Sequence, residues 1–233
     1  MQSIQTVSEN TIYVGASDRR LAKFENLFPI PRGVSYNAYV ILDEKTALLD
    51  TADASVGAQF LENVAAALDG RKLDYLIVDH MEPDHAAMIE AVLVRWPDLR
   101  LVVNAKTLPM LKMYFPTDSA AFDDALVVKE GDTLDLGKHK LTFVMAPMVH
   151  WPEVMMTFDT TTGTLFSADA FGTFGALEGA LFADEVDFAG KWLDDARRYY
   201  TNIVGKYGVQ VQAVLKKACL LYTSPSPRDR QKS

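Results

Sequence analysis

Cysteine is almost missing from this chain of 233 residues, since Cys219 is the only one. A single thiol excludes an internal disulfide framework and favours a reducing compartment. Long apolar runs are missing as well: none approaches the roughly 18 residues that a transmembrane helix needs. The first twenty residues lack the charged start and apolar run of a secretory signal. We therefore expect a soluble, cytoplasmic protein.

Positive charge is also in short supply. The 23 lysines and arginines are outnumbered by 31 aspartates and glutamates, which gives a net charge of −8. Nucleic acid needs clustered cations, and a membrane surface needs a basic amphipathic stretch, so we expect neither partner. The 49% hydrophobic content over this length is enough for one large domain or two small ones.

Short apolar runs alternate with helical patterns along the chain. TIYVGA, YNAYVIL and TALLD predict strands, and LDYLIVDH is typical of a strand buried on both faces. Helical spacing predicts a helix from Asp53 to Leu68 and one long helix from about Glu185 to Tyr207. Strands in early and late blocks with interspersed helices predict two sheets with outer helices in one domain of the α+β class.

The last fifteen residues, CLLYTSPSPRDRQKS (219–233), have no helical or strand period and are dominated by serine, proline and arginine. One interpretation is a disordered natural tail. The other is a non-native tail, such as translated vector read-through joined to a gene fragment. The second interpretation rests on the abrupt change in mid-helix after VLKKA.

The stretch VDHMEPDHAAMIE (78–90) concentrates four metal-binding side chains in six residues. His80, Glu82 and Asp84 alternate at the end of a predicted strand, where alternate side chains project to the same side. Pro83 favours extended backbone at Glu82, and His85 then opens the next helix. Asp84 could instead cap that helix, and either histidine alone could be an ordinary core or surface residue. Because gathering these groups without a cation is unfavourable, the set predicts a metal site.

Two further donors follow apolar strands in the same way, His150 in MAPMVHWPE and Asp169 in LFSADAFG. We expect them at the same sheet edge as His80. Mixed imidazole and carboxylate ligands suit iron or manganese and also permit zinc, and six donors suit two metals bridged by a carboxylate. The remaining histidine, His139 in LGKHKL, is predicted to be a solvated residue of a hairpin turn.

The motif H-x-E-x-D-H, followed by His150 and Asp169, resembles the metallo-β-lactamase superfamily. Zinc hydrolases of that superfamily carry a second histidine where this chain has Glu82. That replacement resembles the flavodiiron proteins, also called A-type flavoproteins. The resemblance covers nearly all of residues 10–217 and is carried by SYNAYVI, HMEPDHA, APMVHWPE, LFSADAFGTFG and DDARRYYTNIVGKYG.

The resemblance implies a four-layer αββα sandwich with a non-haem di-iron site. It assigns the metal ligands as follows: His80, Glu82 and His150 to one iron, Asp84 and His85 to the other, and Asp169 as the bridge. It also implies an oxidoreductase that reduces dioxygen to water, nitric oxide to nitrous oxide, or both, with electrons from FMN.

In such proteins the FMN lies on a flavodoxin-like domain that follows the sandwich. In a head-to-tail homodimer it faces the partner subunit's iron site, and a rubredoxin-like or flavin protein supplies the electrons. Trp151, next to His150, would lie on the flavin-facing side, although it could equally be an ordinary core aromatic residue.

Two departures from the family pattern affect the expected activity. The family's second iron takes one more histidine from beyond the last matched helix, whereas this chain has no histidine after His150. The flavodoxin-like domain is also missing. The sequence therefore predicts a di-iron domain over residues 1–218, cut short at its C-terminal end, and a tail over 219–233. The predicted activity is that of a full-length parent. The alternatives are a zinc hydrolase of the same fold and a binding or regulatory domain that has lost its metal.

Overall fold

Two β-sheets packed face to face form the centre of the protein. A computed structural model describes residues 3–115 and 120–221, apart from the side chains of residues 220 and 221. The strands are β1 (Gln5–Ser8), β2 (Thr11–Tyr13), β3 (Ala16–Asp18), β4 (Lys23–Phe24), β5 (Phe28–Pro29), β6 (Val34–Tyr36), β7 (Tyr39–Leu42), β8 (Thr46–Leu49), β9 (Tyr75–Ile77), β10 (Arg100–Asn104), β11 (Leu126–Val128), β12 (Thr133–Asp135), β13 (Lys140–Met145), β14 (Met155–Asp159) and β15 (Thr164–Phe166). The α-helices are α1 (Gly57–Leu68), α2 (Pro83–Ala86), α3 (Ile89–Arg95), α4 (Thr107–Tyr114), α5 (Ala120–Asp123), α6 (Phe188–Lys191), α7 (Leu193–Ile203) and α8 (Gly208–Leu221).

The larger sheet has the strand order β1-β2-β7-β8-β9-β10-β11. Its first four strands are antiparallel neighbours, and β8 to β11 pair in parallel. The smaller sheet, β12-β13-β14-β15, is antiparallel throughout. Two short pairs, β3–β6 and β4–β5, stand outside these sheets. The predicted α+β class, with two sheets and interspersed helices, is confirmed.

Alternating side chains of the larger sheet separate the core into two layers. One apolar cluster joins the inner faces of the two sheets, through Ile41, Leu49, Ile77 and Val102 on one side and Leu141, Phe143 and Met155 on the other. Leu48, Leu76 and Leu101 each precede one of these residues and point to the opposite face of the larger sheet. They belong to a second apolar cluster, which also contains Phe60 and Val64 of α1. Because these strands are buried on both faces, they read as continuous apolar runs in the sequence.

The predicted helix over 53–68 is a single 3₁₀ turn followed by α1. The 3₁₀ turn spans Ala54–Val56, and the Asp53 carboxylate accepts a hydrogen bond from the Ser55 amide, which caps it. After α1, Asp69 takes a left-handed conformation and Gly70 follows at φ +80°. A glycine suits this position because it has no Cβ to clash there.

The predicted long helix over 185–207 is wrong as a single element. The segment forms a 3₁₀ turn (Ala183–Glu185), α6, α7 and a second 3₁₀ turn (Gly205–Tyr207). The two helices are separated at Trp192, which stays in the right-handed region but has a φ of −116° instead of the helical value of about −63°. Its ring packs against Gly175 and under the Arg32 guanidinium. The apolar residues do recur at helical spacing, but they are distributed over several short helices instead of one long helix.

Helix α8 crosses the boundary predicted between residues 218 and 219, and the extent of the domain stays a prediction. Helix α8 continues through Cys219 to Leu221, so the first three residues of CLLYTSPSPRDRQKS are helical. Lys217 of this helix donates a hydrogen bond to the Met145 carbonyl at 2.9 Å, which ties α8 to β13. The rest of the predicted irregular tail, residues 222–233, lies outside the described residues.

His139 was expected in solvent, and that prediction is wrong. It does follow a hairpin turn between β12 and β13, but only 1% of the residue is exposed. Its Nδ1 lies 2.8 Å from Oδ2 of the buried Asp159, which also accepts a hydrogen bond from Thr162. The position in a hairpin was therefore right, while the side-chain direction is set by a partner on β14.

None of the helices that the structure describes is long and apolar enough to cross a membrane.

We expect the substitution His139→Ala to lower the free energy of unfolding by about 1–3 kcal/mol, because it leaves the Asp159 carboxylate buried without its imidazole partner. Chemical denaturation followed by circular dichroism measures this change. A His139→Ala variant as stable as the parent chain would show that the buried pair contributes nothing to the fold.

Candidate metal centre

Loops that follow three strands, together with α2, carry the six predicted ligands. His80 and Glu82 lie in the loop after β9, His150 follows β13, and Asp169 follows β15. Glu82 has the extended conformation expected before Pro83 (φ −62°, ψ 146°). Asp84 does not continue that extended run, because Pro83 begins α2 and places Asp84 and His85 in its single turn. Asp84 is therefore neither a strand residue nor the helix cap.

The first donor group consists of His80, Glu82, His150 and Asp169. His150 Nε2 lies 2.8 Å from Glu82 Oε2 and 3.0 Å from Asp169 Oδ2. His80 Nε2 lies 3.3 Å and 3.2 Å from the same two oxygen atoms. Two imidazole nitrogens and two carboxylate oxygens thus converge on one point in the buried interior.

The second donor group consists of Asp84, His85 and Asp169. His85 Nε2 lies 3.0 Å from Asp169 Oδ1 and 3.9 Å from Asp84 Oδ2. Asp169 therefore gives one oxygen to each group. The structure divides the six residues in the way that the flavodiiron resemblance implies, and their role as ligands stays a prediction.

In the first donor group, the histidines and the carboxylates shift each other's pKa values. Burial disfavours the imidazolium of His150, but hydrogen bonds with Asp169 and Glu82 outweigh it and raise its pKa to about 9. Burial likewise opposes charge on Glu82, while contacts with His150 and His80 lower its pKa to about 2. The pKa of His80 is raised despite its burial, through Asp169, Glu153 and Glu82.

The second group has one carboxyl that lacks such compensation. Burial raises the pKa of Asp84 to about 7 against the nearby charge of His85. The pKa of Asp169 stays well below its ordinary value, because His85 and the two other imidazoles outweigh its burial. The second group therefore combines Asp169, whose charged form is strongly favoured, with Asp84, whose charged form is disfavoured by burial.

Two buried oxygen atoms indicate that a cation fits this site. Glu82 Oε1 and Asp84 Oδ1 have no hydrogen-bond donor among the residues that the structure describes. A buried carboxylate oxygen without a donor is unfavourable unless a cation or proton compensates it. The donors are imidazole nitrogen and carboxylate oxygen without thiolate, which is the set that iron and manganese accept.

Sequence reasoning missed three residues that hold the predicted ligands in place. Glu153 Oε1 lies 2.7 Å from His80 Nδ1, Asp50 Oδ2 lies 2.9 Å from His85 Nδ1, and the Tyr199 hydroxyl donates to Asp169 Oδ1 at 2.9 Å. Carboxylates on the distal nitrogen orient a metal-binding imidazole. Asp50 could have been found, since it follows β8 as a polar residue after an apolar strand. Tyr199 was hidden in the apolar stripe of its helix.

A cavity of about 100 Å³ adjoins the second donor group. Asp84, His85, Asp169, Asp50 and Tyr199 are among the residues that line it. A volume of this size admits a small molecule beside the two predicted ligands of α2.

Trp151 packs edge-on against two of the predicted ligands. The centroid of its ring lies 5.3 Å from that of His80 and 6.0 Å from that of His150. The residue is half-buried, so part of it faces outward from the first donor group. This position is compatible with both roles expected of Trp151, core packing and contact with a flavin.

Comparison with known proteins gives consistent results for sequence and structure. The family model described as ODP family beta lactamase matches residues 34–204. An anaerobic nitric oxide reductase flavorubredoxin of Aliivibrio salmonicida is 36% identical over 213 residues, which is 91% of this chain and 42% of that protein. The flavorubredoxin of Klebsiella pneumoniae is 38% identical over 200 residues, 85% of this chain and 40% of that protein. The chain thus spans about two fifths of the length of these curated relatives.

Among solved structures, the rubredoxin:oxygen oxidoreductase of Desulfovibrio gigas superposes with a TM-score of 0.88 at 30% identity, over 95% of this chain and 54% of that one. The flavodiiron protein of Giardia intestinalis gives a TM-score of 0.86 at 26% identity, over 94% and 52% of the two chains.

Replacing Glu153 with glutamine should weaken metal binding about tenfold to a hundredfold, because the amide holds His80 less firmly and makes it a poorer ligand. Competition with a chromophoric chelator measures the affinity. Asp159→Asn is the matched control, since it alters a buried carboxylate–histidine pair that belongs to neither donor group. Equal affinities in the two variants would contradict an orienting role for Glu153.

Metal affinity should rise with pH. The raised pKa of His150, about 9, means that its imidazole carries a proton at neutral pH in the metal-free chain. A metal binds only the neutral imidazole and must displace that proton, so the apparent affinity should increase about tenfold per pH unit for each proton released. Chelator competition between roughly pH 6 and pH 9 tests this. The His139→Ala variant should give the same slope, and a flat profile would contradict the expectation.

Proposed function

This chain belongs to the ODP family of beta-lactamase-like proteins, and on that basis we propose that it is the metal-binding domain of an oxidoreductase that reduces nitric oxide or dioxygen at a di-iron centre. The observation that carries the proposal is the position of Asp169. One of its oxygens faces His80 and His150, and the other faces His85. A carboxylate shared in this way suits two adjacent metal ions rather than one.

The donor set assigns each residue a place at the proposed centre. His80, Glu82 and His150 would hold the first metal, Asp84 and His85 the second, and Asp169 would bridge them. When bound, two ferrous ions would each supply an electron and act as Lewis acids toward a small diatomic oxidant.

The remaining groups of the chain would set the geometry of this centre. Glu153 and Asp50 fix the imidazole rings of His80 and His85, so that Nε2 of each points into its donor group. The Tyr199 hydroxyl holds Asp169 Oδ1. The cavity beside the second group would admit a small oxidant to the side chains of Asp84 and His85.

The names of the relatives support oxidoreductase chemistry over zinc hydrolysis. They are nitric oxide reductases and a rubredoxin:oxygen oxidoreductase. The carboxylate of Glu82, at the position where zinc hydrolases carry a histidine, adds a hard donor that favours iron. A non-catalytic domain that has lost its metal fits less well, because the donor residues converge.

Electron delivery is a further part of the proposal. We propose that FMN on a flavodoxin-like domain approaches the half-buried Trp151, in a head-to-tail homodimer. A rubredoxin-like or flavin protein would be the donor, in a reducing cytoplasm. The support lies in the names flavorubredoxin and rubredoxin:oxygen oxidoreductase, and in the edge-on contacts of Trp151 with two predicted ligands.

The domain covers residues 1–218 in this proposal, and its second metal should bind more weakly than the first. The second group has three donors, while the first has four. The sequence has no histidine after His150 that could add another.

Anaerobic titration of the chain with ferrous iron should give one tight equivalent and a second, weaker one. Asp169→Asn should weaken both, because one carboxylate serves both groups, whereas Glu44→Gln, an exposed turn residue, should weaken neither. Iron content is measured by atomic emission and activity by nitrous oxide formed when the reduced, iron-loaded chain meets nitric oxide. A chain that holds zinc, takes up no iron and hydrolyses esters or thioesters would overturn the proposal.

A further inference from the structure

A buried asparagine ends β10 at the sheet edge where the first donor group lies. Asn104 is the last residue of this strand and is only 5% exposed. Strand β10 pairs in parallel with β9, and Val102 stands opposite Ile77. Because parallel strands end at the same edge of a sheet, Asn104 lies next to the loop after β9, which carries His80 and Glu82.

The side-chain amide of Asn104 forms hydrogen bonds at both of its ends. Its Oδ1 accepts from the backbone amides of Lys106 and Thr107, at 2.9 Å and 3.2 Å, and so satisfies N–H groups at the start of α4. Its Nδ2 donates to the Glu153 carbonyl at 2.5 Å. The opposite orientation of the amide would bring two carbonyl oxygens together at Glu153, so these partners determine which end faces which loop.

The carboxylate of Glu153 is held through one of its two oxygens. Oε1 lies 2.7 Å from His80 Nδ1 and accepts from the Met81 amide at 3.0 Å. Oε2 is buried and has no hydrogen-bond donor among the residues that the structure describes. The direction of this carboxylate therefore depends on where its own backbone stands, and Asn104 binds that backbone at the carbonyl of the same residue.

The loop that Asn104 contacts also carries a histidine of the first donor group. It connects β13 to β14 over residues 146–154 and contains His150 and Trp151. The Ala146 amide donates to the Val154 carbonyl at 2.9 Å and closes the base of this loop. One side chain of the larger sheet thus holds a loop of the smaller sheet, beside both imidazoles of the first group.

We propose that Asn104 is a positioning residue of the metal centre, whose amide fixes Glu153 and thereby the direction of the His80 imidazole. The inference rests on the proposed metal centre and adds a residue that acts through Glu153 instead of touching a metal. A carboxylate on the distal nitrogen orients a metal-binding imidazole and makes it a better ligand. Loss of the Asn104 donor should therefore weaken metal binding while every predicted ligand remains in the chain.

The test separates the two ends of the amide with Asn104→Asp, which keeps an oxygen for the N–H groups of α4 but has no N–H for Glu153. We expect its Mn²⁺ affinity, measured by electron paramagnetic resonance of the free ion, to fall about tenfold. Lys106→Met is the matched control, because it removes a 3.1 Å contact with the neighbouring Pro152 carbonyl from an exposed position. The affinity of this control should equal that of the parent chain.

A second readout reports on His80 in the metal-free chain. The proton between His80 Nδ1 and Glu153 Oε1 lies in a short hydrogen bond to a carboxylate, so it should resonate far downfield in the ¹H spectrum of ¹⁵N-histidine-labelled protein. Its loss in Glu153→Gln assigns the signal. Asn104→Asp should shift or broaden this signal, whereas Lys106→Met should leave it unchanged.

The pair of His139 and Asp159 supplies an internal reference for this spectrum. His139 Nδ1 lies 2.8 Å from Asp159 Oδ2, in a buried pair that belongs to neither donor group. A specific role of Asn104 predicts that its substitution by aspartate alters the His80 signal and spares the His139 signal. Equal changes in both signals would indicate a general loss of structure and would overturn the inference.

Two further results would overturn it. One is an unchanged Mn²⁺ affinity or His80 signal in Asn104→Asp, and the other is a loss confined to Asn104→Ala, which would reduce the residue to a cap of α4. If Asn104→Asp does not fold, Asn104→Ser is judged by the same criteria, because its hydroxyl still suits a helix start but is shorter. A parent chain that binds no divalent metal would contradict the proposed metal centre, and the His80 signal would still decide the role of Asn104.

Discussion

The contact of one carboxylate with three imidazoles is the constraint on which the rest of the site depends. Asp169 lies about 3 Å from Nε2 of His80, His85 and His150, and also accepts the Tyr199 hydroxyl. Its loop follows the smaller sheet, while His80 and His85 follow the larger one. A buried anion with these partners requires both sheets to hold their registers, because a shift would leave charges uncompensated.

The sandwich supplies that register through its two apolar layers. Leu49, Ile77 and Val102 face the smaller sheet, and their chain neighbours on the opposite face pack under helices. With both faces buried, a slip by one residue would exchange the two layers, so the strand ends are strongly specified. The loops beyond β8 and β9 can then carry polar groups, Asp50 and His80 among them, whose positions the core determines.

The sequence predicts which side chains meet at the candidate site better than it predicts the residues that hold them in place, for a physical reason. His80, Glu82 and His150 stand out locally, because metal-binding side chains directly follow apolar runs. Glu153 and Asp50 act only through partners far away along the chain, and single-sequence periodicity carries no such information. The prediction that His139 is exposed was wrong for the same reason, since its burial depends on the distant partner Asp159. The break at Trp192 likewise depends on Gly175 and Arg32, which periodicity does not reveal.

The two donor groups differ in their surroundings, and this asymmetry bears on how a small molecule reaches them. Asp84 and His85 of the second group line the cavity, whereas His80, Glu82 and His150 of the first group are not among its lining residues. A molecule that enters the cavity therefore meets the second group before the first. The second group also has fewer donors, three against four in the first. The number of donors and the access through the cavity thus differ between two groups that share Asp169.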